Sequence, residues 1–373
     1  MDEFDYSKIN ARLISSQNIS IDETIILTGG LKAKSYDDLS VTFYPIWKNG
    51  PPIWGNEIAC RDFQGFLKDR SIEVIGIKQD TKTENGNHWR WAPAKACHNP
   101  PHNNPSYRWT FISSGLRRSI KAGTSLNFIG DKSSQIIPDV DANKLSDLAQ
   151  HIAIDLHQMN QAIVMMAEHL HNDLVGNGPR CSRYEHIRHF DLSSHIHAFF
   201  QAFSAARDHY AQFVAIQIDH KTVKGEHIDS MSKLLNSVDP VHLRELKTFN
   251  TLEKNNLVIL GEGRGKKHGG KCRLCYKSGT WLKGANDYRN RFTHESPYGT
   301  LPEENVLEVY QPDCDDTLFM AKAFFAQEEG DFPPNVLRTT NHLYQNICGF
   351  FLLCSEFTGY SSDPPSINLT NDM

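Results

Sequence analysis

Apolar positions change their period once along the 373-residue chain. Up to about residue 140 they come in short runs rich in β-branched and aromatic side chains, at 19–27, 41–47, 72–78, 108–113 and 125–129. Each run predicts a strand. Gly29-Gly30, Asn49-Gly50-Pro51-Pro52 and Asn85-Gly86-Asn87 separate the runs as turn signals. From Asp141 the step becomes three and four. Leu145, Leu148, Ile152, Leu156, Met159, Ile163, Met166, Leu170 and Leu174 predict one long amphipathic helix that closes near Gly176. Its histidines, His151, His157, His169 and His171, fall mainly off that stripe, and most of them are expected in solvent. A second long helix, N-capped by Asp191 or Ser193, carries Ile196, Phe199, Phe200, Phe203, Ala206, Tyr210, Phe213 and Val214. Shorter helices are predicted at 228–236 and 240–253, the latter opened by Asp239-Pro240. Another is predicted from Asp315-Asp316, with Leu318, Ala321, Phe324 and Phe325. The last covers 335–358, with Val336, Thr340, Leu343, Ile347, Phe350, Phe351, Cys354 and Phe357 on one face. The pattern therefore predicts an α+β protein, with a β-rich domain over 1–140 and an all-α bundle over 141–373. The end, 361–373, is expected to be disordered.

Composition narrows this. A hydrophobic share of 39% and a charged share of 22% are those of an ordinary globular chain long enough for two cores. The net charge of −5 excludes a uniformly basic nucleic-acid binder, so any phosphate site must be local. No apolar run reaches the ~18–20 residues of a membrane span, and the acidic start Met1-Asp2-Glu3-Phe4-Asp5 is unlike a signal peptide; a cytoplasmic location is expected. Eight scattered cysteines suit a reducing compartment with mostly free thiols. Cys348 and Cys354 fall in an apolar helical pattern and are read as packing residues. Five of the six tryptophans precede residue 140, which predicts an aromatic core there.

Several clusters carry possible chemistry. Between 264 and 291 stand nine basic residues, Arg264, Lys266, Lys267, Lys271, Arg273, Lys277, Lys283, Arg289 and Arg291, against the single acid Asp287. Phosphate is the natural partner of such an excess, although a solvated charge run has the same composition. The glycines that open this stretch do not have P-loop spacing. Cys272 and Cys275 form a lone C-x2-C without the second pair of a zinc knuckle and are read as free thiols, with zinc as the lesser alternative. Trp89-Arg90-Trp91 and Tyr107-Arg108-Trp109 interleave cations with aromatics, as single-strand-binding surfaces do. Alternating strands with the rings inside and the arginines outside are the favoured reading of both. Cys97-His98 with His102 lies in an Asn- and Pro-rich stretch without a spaced partner pair, which argues against a metal there.

The basic approach leads into Arg289-Asn290-Arg291-Phe292-Thr293-His294, that is R-N-x-x-x-H. RNA cleavage by its own 2′-OH needs a base, an acid for the leaving 5′-oxygen, and positive charge on the phosphorane between them. A histidine suits the proton transfers, and a forked arginine suits the phosphate oxygens. On an α-helix, however, residues five apart are separated by about 500°, roughly 140° from eclipsed. The pair therefore predicts either a helix end or a meeting of two copies. Arg183 with His189, and Arg188 with His195, have comparable spacings but lack the Arg-Asn pair.

The motif within its helical setting, over about 141–360, resembles the HEPN superfamily. Active members of that superfamily are metal-independent ribonucleases with an R-x(4 to 6)-H motif. The resemblance implies an endoribonuclease without cofactor or metal, active as a homodimer, with Arg289 on phosphate, His294 catalytic, and Asn290 in place of the polar residue that often follows the arginine. It also implies RNA as partner, 2′,3′-cyclic phosphate products, and a role as a toxin or phage-defence effector, with 1–140 receiving a regulator or trigger. Many bundles of this kind bind nucleotides or partners without cutting. That is the alternative, in which the basic residues and Arg289 hold phosphate and His294 is a bystander.

Overall fold

A computed structural model describes residues 21–36, 40–83, 86–94, 104–121, 139–185, 189–218, 228–238, 243–244, 246–255, 258–260, 274–276, 280–312, 317–326 and 334–360. The expected strand at 125–129, the Cys97-His98…His102 cluster, the Asp239-Pro240 helix start and the tail at 361–373 lie outside them. The architecture is mixed α+β, with an antiparallel sheet first and a mainly helical remainder. The chain divides into two compact units interleaved in sequence. One comprises residues 1–103, 159–200 and 289–348, and the other 104–158, 201–288 and 349–373.

The first unit is built on a six-stranded antiparallel sheet, β1 (Ile21–Leu27), β2 (Lys32–Tyr36), β3 (Ser40–Ile46), β4 (Ile53–Ala59), β5 (Val74–Thr83) and β6 (Gly86–Pro93), in the order β4-β3-β2-β1-β5-β6. The strands expected at 19–27, 41–47 and 72–78 are β1, β3 and β5; the periodicity missed β2, β4 and β6. Successive side chains of a strand face opposite ways, and β3 shows what covers each face. Phe43 packs at 4.6 Å on Phe66 of helix α1 (Phe63–Asp69), whereas Tyr44 lies 5.5 Å from His171. His171 belongs to α3 (Asp139–Asn177), whose residues from 159 on are part of this unit. His171 is buried, contrary to the expectation of solvated histidines, and its Nδ1 lies 2.8 Å from the Gly30 carbonyl. That carbonyl can only accept, so Nδ1 carries the proton. Helix α8 (Val336–Glu356) adds Tyr344, which accepts from the indole N–H of Trp91 at 2.7 Å and donates to Asn160 at 2.6 Å. Trp91 is buried and Arg90 exposed, as in an alternating strand, while the Trp89 side chain lies outside the described residues.

A three-stranded sheet completes the unit, with β10 (Val306–Tyr310) between β7 (Ser182–Glu185) and β11 (Met320–Ala323). This overturns the helix expected from Asp315-Asp316. Four apolar positions cannot separate a period of 3.6 from a buried strand. Here Leu307 and Val309 alternate inward, and Ala323 and Ala321 are buried opposite them.

The second unit is mainly helical. The strand expected at 108–113 is instead the middle of α2 (Pro105–Lys121). Asn104 accepts the Ser106 N–H at 3.0 Å and Pro105 occupies the first turn, an Asx cap followed by the one residue that needs no amide partner there. Trp109, Ile112 and Leu116 then face inward at helical spacing. The Trp109 ring is edge-on to Tyr210 and Phe213 of α4 (His189–Gln217), and its N–H reaches the Phe351 carbonyl at 3.2 Å. α4 starts two residues before the expected Asp191 cap. Two short helices follow, α5 (Met231–Ser237) and α6 (Lys247–Lys254), with the ribbon β8 (Val258–Leu260) and β9 (Leu274–Tyr276). The long stripes of α3 and α4 are buried throughout as predicted. No helix among the described residues is long and apolar enough to cross a membrane.

Candidate active site

Helix α7 (Trp281–Asn290) opens with Thr280, whose hydroxyl accepts the Lys283 N–H at 3.3 Å. It does not end at Asn290 in a normal cap. A π turn, Arg291–Glu295, continues it, marked by the Ser296 N–H bonding to the Arg291 carbonyl at 2.9 Å. That bond runs from i+5 to i, so residues five apart come nearly above one another. The turn thereby narrows the 140° mismatch of a regular helix. Arg289 Nη1 lies 3.1 Å from His294 Nε2 and also donates to Asn290 Oδ1 at 3.0 Å. The Arg, Asn and His of R-N-x-x-x-H thus meet within one chain, His294 exposed and the other two half-buried.

What holds the π turn is apolar on one side and ionic on the other. Phe292 points inward and touches the rings of His197, Phe200, Phe325 and Tyr298, at 5.6, 5.5, 5.8 and 6.4 Å. Arg291 is ion-paired with the fully buried carboxylate of Glu304, which also accepts the amides of Gly299 at 2.8 Å and Ala326 at 3.2 Å. The next turn is clamped by α4. Ser193 donates to the Tyr298 carbonyl at 2.8 Å, and His197 Nε2 accepts the Tyr298 N–H at 3.3 Å. Burial lowers the His197 pKa below its ordinary value, partly offset by the Glu304 charge. Burial raises that of the Tyr298 phenol, and Glu304 adds to the rise. Glu304, Ser193 and His197 were not candidates from the sequence. They lie 10 to about 100 positions from His294, and no spacing rule links them to it.

The remaining predicted phosphate contacts divide. Arg264, Lys266, Lys267, Lys271, Arg273 and Lys277 lie outside the described residues. Lys283 is exposed enough to meet a ligand and pairs with Asp287 one turn along α7. Arg291 is turned to Glu304, so its charge is matched inside the protein. Of the competing pairs, Arg183 is exposed on β7, while Arg188 and the His189 side chain lie outside the described residues. The His195 pKa is lowered by burial, against the Asp191 charge. Among the described residues no group of three or more His, Cys, Asp or Glu side chains is placed to hold a metal ion. Cys60, Cys181, Cys348 and Cys354 are not joined in disulfides. Comparison with family models, curated proteins and solved structures finds no match for this chain.

Proposed function

We propose that the protein is a HEPN-like endoribonuclease that cuts single-stranded RNA at the Arg289–His294 pair without a metal. The observation that carries this reading is the 3.1 Å approach of Arg289 Nη1 to His294 Nε2 on the π turn. An arginine can only donate, so in this arrangement His294 is neutral, its Nε2 lone pair aimed at the guanidinium. An entering phosphodiester competes for Arg289, whose fork can take two phosphate oxygens. That frees Nε2 to accept the 2′-OH proton as the oxygen attacks phosphorus. The 5′-oxygen leaves with a proton taken from water, giving a 2′,3′-cyclic phosphate, and His294 then returns the 2′-OH proton to solvent. Asn290 fixes the rotamer of Arg289, and Lys283 stands one to two turns back along the same helix. RNA as partner, action as a homodimer in the cytoplasm, and employment as a toxin or in phage defence with a trigger received by the N-terminal sheet belong to the same proposal.

The test is cleavage of end-labelled single-stranded RNA in EDTA by wild type, Arg289→Ala and His294→Ala. Each substitution should lower the rate about a hundred- to ten-thousand-fold, the usual worth of a positioned proton-transfer or charge-stabilising group, with the thermal melt unchanged. Wild type that binds RNA but leaves it intact would replace this reading with the non-catalytic, phosphate-holding one.

A further inference from the structure

Away from Arg289 and His294, the second unit brings together two imidazoles and a carboxylate that the proposed cleavage does not use. His209 of α4 has Nδ1 2.7 Å from Asp155 Oδ2 of α3. The Asp155 side chain is 11% exposed and that of His209 29%, so the pair sits at the edge of the core with one side toward solvent. A carboxylate at that distance accepts a hydrogen bond from Nδ1–H, which in the neutral imidazole leaves the lone pair on Nε2. One turn before Asp155, on the same face of α3, stands His151, exposed and with its ring centre 5.0 Å from that of His209.

We propose that His151 and His209 bind a divalent ion of the zinc class, with Asp155 orienting His209 from behind and water filling the remaining positions. Three features point to this. The Asp–His arrangement is the one that presents a ligating imidazole nitrogen in its basic tautomer. With Zn–N bonds of about 2.0–2.1 Å and a tetrahedral angle, two imidazoles sharing an ion have centres roughly 5 Å apart, which is the separation found. His151 makes no hydrogen bond that competes for its nitrogens among the described residues, so its approach to His209 is not explained by another partner. The ligand class follows from the donors, since two imidazoles select zinc, nickel, cobalt or copper over calcium or magnesium. The ion would fasten α3 to α4 within their unit. This inference does not rest on the ribonuclease reading.

The experiment is a zinc titration of the EDTA-stripped full-length chain against a chromogenic chelator, for wild type, His151→Ala, His209→Gln and Asp155→Asn. Other histidines and cysteines also take zinc, so the readout is the difference between proteins. Wild type should bind one equivalent more than His151→Ala and His209→Gln. Asp155→Asn keeps an acceptor for Nδ1 but loses the charge, and should weaken that equivalent about 10- to 100-fold. Equal stoichiometry and affinity in wild type and His151→Ala would overturn the proposal. His151 is exposed and unbonded, so that variant folds and decides the question even if His209→Gln does not. Zinc-edge anomalous scattering from soaked crystals answers the same question by position. A peak between the two rings supports the site, and peaks only at thiols refute it.

Discussion

At Arg289 the donor geometry dictates what His294 can be. A guanidinium has five N–H groups and no lone pair to offer, so the nitrogen it faces must be unprotonated. Charge alone does not reproduce this, because a lysine ammonium lacks the planar fork that can hold Asn290, His294 and then a phosphate in turn. Arg289→Lys should therefore keep RNA affinity near wild type in a salt titration and still lose most of the cleavage rate in the same EDTA assay. In the core, single hydrogen bonds matter as much. Tyr344 passes a hydrogen bond from Trp91 to Asn160, and Asn160 already has a buried Nδ2 without a partner among the described residues. Tyr344→Phe removes the hydroxyl that the indole N–H and the Asn160 carbonyl share. The urea midpoint should fall by about 1–3 kcal/mol of stability, the cost of leaving buried polar groups unpaired. Arg289, Asn290 and His294 could be read from the chain because their chemistry is local and their spacing short. Glu304 could not, since its significance lies in a carboxylate buried beneath Arg291, and nothing in Pro302-Glu303-Glu304 distinguishes the buried acid from the exposed one.

The elements show where period alone suffices. α3, α4 and α8 have apolar stripes over many turns, long enough for helical spacing to be unambiguous, and they fold as the stripes demand. Runs of three or four positions are ambiguous. The residues around Trp109 satisfy a strand or a helix equally until Asn104-Pro105 is read as a cap, and Leu318–Phe325 gives no hint of the strand that pairs with it. The π turn is a further step removed. An α-helix carried through to His294 would point it away from Arg289, and what widens the turn is Phe292 and Arg291 reaching partners on other elements. Removing that anchor should undo the site as well as the fold. Phe292→Ala leaves a cavity among His197, Phe200, Tyr298 and Phe325 and should cost about 3–5 kcal/mol by chemical denaturation. The loop after β1 is equally strict. Gly30 has φ +75°, and an added Cβ would stand 2.8 Å from the Leu170 carbonyl, so Gly30→Ala should destabilise by at least about 1 kcal/mol in the same measurement.

For the whole molecule, the histidines give stability a direction with pH. Burial lowers the pKa of His157, His171, His195 and His197 below the ordinary 6.5. At His171 the Lys32 charge adds to the lowering, while the Gly30 carbonyl and Glu168 oppose it. With folded values depressed, the unfolded chain binds more protons in this window, so stability is complete above pH 6.5 and declines as pH falls through it. The urea midpoint should accordingly be lower at about pH 5.5 than at about pH 7.5, and flat above neutrality. A midpoint that stays flat on acidification would show these imidazoles to be solvated.

The unit that contains Arg289 and His294 also draws strands from the first hundred residues and helix α8 from beyond 336. That interleaving sets an order in time. Chain emerging from a ribosome can form α3 or the first sheet early, but this unit cannot close until α8 has been made. On the ribonuclease reading, a nascent chain short of α8 therefore carries Arg289 and His294 in a unit that still lacks one of its helices.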